Sequence, residues 1–417
     1  MASFSFGSGN AAKLLRIPLY AAGRIGTMIV PRGRRWVFGC GAGIGDGALA
    51  LWRVASADGH RPVWLTSSER EKTDAAALGI PTVSKSSLRG WWTTARAGVI
   101  VVTHGQGDVN RYATSGGFIV QLWHGIPLKR IGLDSAATTQ VPSIPGSALL
   151  RRLIGVLYRS TAQRIRLMPA ASDRSRGRLE SAFALGDSRV VVTGEPRVDV
   201  LSTGTAQERG ESASALLESV TRPLAPGART VLYAPTWRDG AEDPAVPSAA
   251  QWVRLIAVLE RQNAVLFVRS HPLGAGAYQP PLPSARVRML GSDVLADVTP
   301  ALPAIDILIT DYSSLAYDVG LIEMPVVYLA PDAEEYARTR GFYGHYEDVA
   351  GDDAATNWDE ATTELETLLS DQDAFGERSR RSGNLSAQVH AYRDGENTRR
   401  VYGAIRARTT SASKGAR

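Results

Sequence analysis

"IDILITDYSSLAYDVGLIEMPVVYL", residues 305–329, decides the fold. Ile305–Thr310 is an apolar run of strand length, the kind buried on both faces of a parallel sheet. Asp311-Tyr312 turns the chain, and Ser313 and Ser314 supply N-cap chemistry. Leu315–Glu323 continues as a helix that stops before Pro325. Val326–Leu329 follows as a second strand. A strand, a helix and a strand in so short a span make a parallel crossover unit, so the expected class is α/β.

The same alternation extends to both sides. Towards the N-terminus, strands are expected at Trp36–Gly39, Pro62–Thr66, Gly98–Thr103, Phe118–Trp123 and Val190–Thr193. A polar stretch, 202–227, carries one helix and ends in "RPLAPG", which reads as a connection. Thr230–Tyr233 and Ala264–Arg269 then precede the unit already quoted. Helical segments at Glu360–Leu369 and Gly383–Ala407 close the chain, ahead of a Ser/Lys/Gly tail expected to be disordered. The division expected is an N-terminal basic apolar segment (1–30), an α/β domain (31–204) with a basic amphipathic insert (143–166), a second α/β domain (205–384), and a C-terminal helix with its tail (385–417). Two Rossmann-like parallel sheets facing a cleft is the economical architecture for 417 residues.

Composition sets the outer bounds. An apolar fraction of 44% and a charged fraction of 21% are those of a globular chain. One cysteine, Cys40, excludes an internal disulfide framework. The six histidines show no zinc-type spacing, so no metal site is expected. The net charge is +6, and 42 of the 47 basic residues are arginine, since only five are lysine. That charge suits acidic substrates or anionic lipid, and no nucleic-acid motif accompanies it. The apolar N-terminus "AAKLLRIPLYAAGRIGTMIV" is interrupted by Arg16, Pro18 and Arg24, so it is too broken to span a bilayer.

Ligands of parallel sheets bind beyond the carboxyl ends of the strands, so the chemistry is sought there. "TVLYAPTWRDG" (230–240) ends a strand on Thr236 and Arg238, and "AVLFVRSHP" (264–272) ends one on Arg269, Ser270 and His271. Arginine grips phosphate oxygens in a bidentate way, and a helix start at Ser313-Ser314 favours an anion. Three such ends in one sheet suit a diphosphate. In the first half, "GGFIVQLWHGIPLKRIG" (116–132) stops a strand on His124-Gly125 and follows it with Lys129 and Arg130. "FGCGAGIGDGALALW" (38–52) places Asp46 where the third glycine of GxGxxG belongs, so it is expected to be a close-packed turn and not a dinucleotide site. "DQD" (371–373) sits at a helix end and is not read as a metal motif.

Taken together, "QLWHGIPLKRIGLD" (121–134), "TGEPRVDVL" (193–201), "LYAPTWRDG" (232–240), "RSHP" (269–272) and "TDYSSLAYDVGLIEMPVVYL" (310–329) resemble the CDP-glycerol glycerophosphotransferase family of teichoic-acid synthesis. The resemblance covers roughly residues 36 to 350 and implies a GT-B-like fold with an N-terminal acceptor domain and a C-terminal donor-nucleotide domain. It implies transfer of glycerol phosphate from CDP-glycerol to a hydroxyl of a membrane-linked acceptor, with release of CMP. His124 becomes the candidate general base. His271 and Arg269 become ligands of the donor diphosphate, with Ser313 and Ser314 at the helix start and Thr236, Arg238 and Asp311 lining the same pocket. Lys129, Arg130 and Asp46 are candidates for the acceptor side. No dedicated cofactor is implied; magnesium is compatible with the diphosphate, without a ligand set of its own. His345 stands in "GFYGHYEDVAGDD" (341–353) where the family commonly has an acidic residue, which leaves the polyol open between glycerol, ribitol and another.

A lipid-linked acceptor also gives meaning to residues 135–172, which hold five arginines and no acidic residue. Within them "ALLRRLIGVLYRS" puts Leu150, Leu153, Ile154 and Leu157 at helical spacing, with Arg151, Arg152 and Arg159 beside them. The expected location is the cytoplasmic face of the cell membrane, held peripherally at its anionic surface. Two other readings share the scaffold: a GT-B glycosyltransferase with a nucleotide-sugar donor, and a non-catalytic protein that binds membrane or polyanion.

Overall fold

The computed structural model describes residues 17–139, 147–186, 188–238, 243–270 and 278–414. Two compact units divide the chain: one extends to Asp199 and resumes at Asp394, and the other is Val200–Arg393.

The first unit opens with α1 (Ile17–Ile29) and then alternates β1 (Arg35–Gly39), α2 (Asp46–Ala57), β2 (Val63–Thr66), α3 (Glu69–Ala77), β3 (Thr82–Ser84), α4 (Leu88–Ala95) and β4 (Ala97–Val102). It continues through β5 (Phe118–Gln121), α5 (Ser147–Ala162), β6 (Ile165–Ala170), α6 (Asp173–Phe183) and β7 (Val190–Val192). Its seven strands form one parallel sheet in the order β3-β2-β1-β4-β5-β6-β7. Val37 pairs with Ile100, and Ile100 with Ile119. Alternate residues enter separate cores: Val37, Ile100 and Val102 join one, and Trp36, Phe38, Val99 and Val101 join the other. Both faces are therefore covered, which is why these strands read as continuous apolar runs and not as alternation.

The second unit runs α7 (Ala206–Val220), β8 (Arg229–Ala234), α8 (Ala249–Arg261), β9 (Ala264–Val268), β10 (Val287–Met289), β11 (Ile307–Thr310), α9 (Leu315–Val319) and β12 (Val326–Tyr328). It closes with α10 (Ala333–Thr339), α11 (Glu347–Ala350), α12 (Trp358–Ser370) and α13 (Gln372–Ala387). Five parallel strands are ordered β10-β9-β8-β11-β12, with Ile309 paired to Tyr233. The α/β class and the pair of parallel sheets agree with the sequence expectation.

Three strands were not foreseen: β3, β6 and β10. The first and last are three residues each, and β6, "IRLMPA", carries Arg166 and Pro169, which hide its apolar pattern. The unit boundaries also differ from 204/205 and 384/385. The expected helix 383–407 is two helices, because α13 ends at Ala387 and α14 (Asn397–Lys414) begins anew. Helix α14 belongs to the first unit: Val401 and Ile405 sit in the core with Trp36, Phe38 and Leu51. Its start is capped by Asp199, whose carboxylate accepts the Asn397 and Thr398 amides at 3.0 and 2.7 Å and the Thr398 hydroxyl at 2.6 Å. Of the expected N-terminal segment, residues 1–16 lie outside the described residues, as do 143–146 of the amphipathic insert and 415–417 of the tail.

The Asp199 cap gives a direct test of how α14 is held. Asp199→Ala leaves three α14 donors without their acceptor and should cost about 1–2 kcal/mol of stability, read from chemical denaturation. Asp199→Asn, which keeps a capping oxygen, should lose less; equal losses would mean that the cap does not secure the helix.

Candidate active site

In the first unit β1, β4 and β5 are neighbours, so the loops that follow them share one edge of the sheet. The turn after β5 brings Trp123 to φ 65° and Gly125 to φ 144°. A left-handed tryptophan is strained by about 1–3 kcal/mol. Burial offsets that strain, since Trp123 packs edge-on against Phe183 at 5.1 Å. Between these two residues His124 is held out on the edge, partly exposed, with Nδ1 on its buried side. Burial pushes the His124 imidazole well below the ordinary histidine value; the adjacent His104 ring and the charges of Arg197 and Lys129 push the same way. The Thr103 carbonyl opposes them, but it already accepts the Gln121 side-chain amide at 2.6 Å. A neutral imidazole near neutral pH is the state in which histidine accepts a proton.

His104, which sequence reasoning did not single out, stacks on His124 with ring centroids 4.2 Å apart and planes only 3° from parallel. The signal was present: "THG" follows β4 as "WHG" follows β5, and adjacent parallel strands bring equivalent positions together. The buried Asp108 carboxylate shapes the turn, with Oδ2 accepting the amides of Thr103, His104 and Gly105 at 3.0, 2.7 and 3.2 Å. The glycine loop after β1 closes on the same turn. A Cβ on Gly41 would lie 2.6 Å from His104 Cγ, so this is the close-packed turn the sequence suggested. Asp46 opens α2 at φ 59° and accepts the Gly47 amide at 2.6 Å. Lys129 is half-buried and its charge reaches His124, whereas Arg130 is exposed. Arg197 was also missed inside "TGEPRVDVL"; it pairs with the buried Glu195 at 3.0 Å.

In the second unit the sheet order brings the ends of β9, β8 and β11 side by side, as expected. The side chains are not all turned to the edge, however. Arg238 is 6% exposed and grips Asp332 with Nε and Nη2 at 2.8 and 2.9 Å, and Asp311 with Nη1 at 2.8 Å. Nη1 also donates to the Thr236 carbonyl at 2.6 Å, and the guanidinium lies 4.9 and 5.1 Å from the centroids of the Tyr312 and Tyr336 rings, which stack on each other at 4.2 Å. Burial works against its charge, but Asp332 and Asp311 outweigh it and hold Arg238 above its usual value. Arg238 and Asp311, expected to line a diphosphate pocket, are buried and paired with each other. Asp311 also accepts the Thr236 and Tyr312 amides at 2.8 and 2.7 Å, so it anchors the turn after β8 to the one after β11. Arg269, expected to bind the diphosphate, donates to the carbonyls of Leu290, Leu295 and Ala296 at 3.1, 2.7 and 2.9 Å.

Ser313 and Ser314 remain half-exposed at the edge. Ser313 Oγ accepts the Leu315 amide at 3.2 Å, and Ser314 makes no side-chain cap bond to the helix. Thr236 is buried just past the end of β8, the strand that adjoins β11 in the sheet. His345 is exposed, while Tyr346 packs against Tyr312 at 5.1 Å. His271 lies outside the described residues. Asp371 of "DQD" caps α13. Among the described residues no group of three or more His, Cys, Asp or Glu is placed to hold a metal ion.

A model of the family described as CDP-Glycerol:Poly(glycerophosphate) glycerophosphotransferase matches residues 43–407. The teichoic acid ribitol-phosphate polymerase TarL of Staphylococcus aureus is 28% identical over 265 residues, 62% of this chain and 43% of TarL. The teichoic acid glycerol-phosphate transferase of the same organism is 26% identical over 276 residues, 64% of this chain and 66% of its own. This chain thus spans under half the length of TarL. The solved wall teichoic acid polymerase TagF superposes with a TM-score of 0.73 at 20% identity, over 96% of each chain, a likeness of fold.

The buried guanidinium offers a clear prediction for the second unit. Arg238→Ala should lower stability by about 3–5 kcal/mol, because it strands two carboxylates that the arginine neutralised. Arg238→Lys should recover only part of that, since a point charge cannot reproduce the fork between Asp311 and Asp332. Denaturation midpoints unchanged in both would mean that this fork does not brace the unit.

Proposed function

The chain belongs to the CDP-glycerol:poly(glycerophosphate) glycerophosphotransferase family, and on that premise we propose that it moves a polyol phosphate from a CDP-activated donor to a hydroxyl of a lipid-linked acceptor. The observation that carries this is His124, pinned at the end of β5 and biased to the neutral form. The acceptor oxygen attacks the phosphorus that bears the polyol, the bond from that phosphorus to the bridging oxygen breaks, and CMP leaves with that oxygen. His124 takes the acceptor's hydroxyl proton as the new bond forms. Such a displacement gains most from positioning and charge stabilisation. We assign the donor diphosphate to Ser313, Ser314 and His271, the last by its motif, with Thr236, Asp311, Arg238 and Arg269 fixing the turns around them. Glycerol phosphate is the first choice of transferred group, as in the family's description. No resident cofactor enters this scheme; magnesium, if used, would arrive with the diphosphate.

We extend the proposal to peripheral attachment at an anionic bilayer through α1 and α5. Among the described residues no helix is long and apolar enough to cross a membrane. Helix α1 packs inward through Gly23 and Thr27, where a Cβ on Gly23 would meet the Tyr112 carbonyl at 2.2 Å. It leaves Leu19, Ile25, Met28 and Ile29 exposed, the last two at 74% and 78%. Helix α5 buries Ile154 and Tyr158 and exposes Leu149, Leu153, Val156 and Leu157, with Arg151, Arg152 and Arg159 beside them. Apolar side chains framed by arginine are what an interfacial helix requires.

Two outcomes follow. Acceptor-dependent CMP release should occur with CDP-glycerol or CDP-ribitol and not with nucleotide sugars, and His124→Ala should slow it by about 10²–10⁴. Because His124 must be neutral to act and is held below the ordinary value, the rate should stay flat through neutral pH and fall only on acidification. Near-normal turnover by a folded His124→Ala enzyme removes the base assignment. Separately, co-sedimentation with phosphatidylglycerol vesicles at low salt should be lost in Leu153→Asp/Val156→Asp while the rate on a soluble acceptor analogue persists; equal sedimentation would remove the membrane face.

A further inference from the structure

We propose that His104 is a positioning residue for His124, fixing the plane of that imidazole through a face-to-face stack that tolerates no more than one charged ring. The inference rests on the reading of His124 as the base and goes beyond it, because no motif that carries that reading includes His104.

The stack is built from three strand ends. From β4, Asp108 Oδ2 gathers the Thr103, His104 and Gly105 amides and so fixes the backbone from which His104 projects. The ring is fixed a second time by its Nδ1, 2.8 Å from Thr103 Oγ1. From β1, Gly41 donates its amide to that same oxygen at 3.3 Å, and only its missing side chain leaves room for His104, since a Cβ there would lie 2.6 Å from Cγ. From β5, His124 meets the ring 3° from parallel at 4.2 Å, with Trp123 on it at the same distance. An imidazole so sandwiched cannot swing, and its accessible edge points in one direction. A ring needed only to fill space would not require a threonine, an aspartate and a glycine to set its plane.

The charges around the pair explain the second half of the proposal. Two imidazolium rings stacked at this separation repel strongly in a partly dehydrated site. Burial holds the His104 ring below the ordinary histidine value and Asp108, on the turn that carries it, opposes that, while Arg197 and Lys129 add positive charge towards His124. Glu195 is paired with Arg197, and the charge of Asp46 bears on the buried Cys40 thiol, which accepts the Thr103 hydroxyl at 3.2 Å. Any proton that enters the stack therefore finds its counter-charge nearer His104, which leaves His124 as the neutral member.

Two variants separate positioning from packing. His104→Phe keeps a flat ring and removes the charge; His104→Ala removes the stack. The His124 imidazole is followed by NMR between about pH 5 and 8, and kcat and the donor KM are measured with the CDP-polyol. In His104→Phe we expect kcat within about threefold of the parent, with the His124 titration and the acid limb of the rate both moved up towards the ordinary histidine value. In His104→Ala we expect kcat lower by about tenfold to a hundredfold at unchanged donor KM, as for a misaligned base. Parent-like kcat in His104→Ala, or a His124 titration unmoved in His104→Phe, overturns the proposal. Activity surviving in His124→Ala would instead sink the base reading, and the NMR titration, which needs no turnover, would still decide whether the two rings are coupled.

Discussion

Parallel pairing is the constraint on which the rest depends. In a parallel sheet every strand ends at the same edge, so the order of strands decides which loops meet. In the first unit β1, β4 and β5 are consecutive in the sheet although sequence separates them by up to about eighty residues. That adjacency alone makes neighbours of Gly41, His104 and His124. The second unit does the same for the ends of β9, β8 and β11. The pairing in turn rests on strands apolar on both faces, because the two cores of the first sheet draw on alternate residues of the same strands.

The two edges use charge in opposite ways. In the second unit a permanent cation, Arg238, is enclosed by two carboxylates and two aromatic rings, and it cannot lose its charge at any ordinary pH. Its role is rigidity: it ties the turns after β8 and β11 to Asp332, just before α10, and leaves the serines of the edge to face outward. In the first unit the groups at the edge are imidazoles, whose charge is conditional. Burial, the ring stack and neighbouring cations hold His124 below the ordinary histidine value. A fixed charge suits a brace, and a conditional one suits a proton acceptor.

Much of this was legible in the sequence because it is carried by short-range pattern. The unit 305–329 shows its strand, turn, helix and second strand in consecutive residues, and His124 announces itself by ending an apolar run. What escaped was long-range. Nothing local marks Arg238 as a brace, since its partner Asp332 lies 94 residues away. Nor does anything local show that Arg269 donates to the carbonyls of Leu290, Leu295 and Ala296. His104 was missed although its "THG" mirrors "WHG", because the resemblance of two strand ends matters only once β4 and β5 are known to be neighbours. The return of α14 to the first unit was hidden for the same reason: Asp199 and Asn397 are 198 residues apart.

Helices α1 and α5, read from the sequence as a basic apolar segment and a basic amphipathic surface helix, keep much of their apolar surface outside the core. Both are apolar enough to suggest burial, and an amphipathic helix normally turns its larger side chains to the core. In α1 the face against the protein is Gly23 and Thr27, and the branched and long apolar residues point away. The backbone contact explains part of it: with the Tyr112 carbonyl so close, no side chain fits at position 23. In α5 two large residues, Ile154 and Tyr158, suffice to anchor the helix, and four more apolar side chains are left over. Exposed apolar surface of this extent works against solubility unless something covers it. On the proposed bilayer attachment, arginines placed along the same helix would favour an anionic cover over a neutral one, and a lipid-linked acceptor would bring its reacting hydroxyl to that surface.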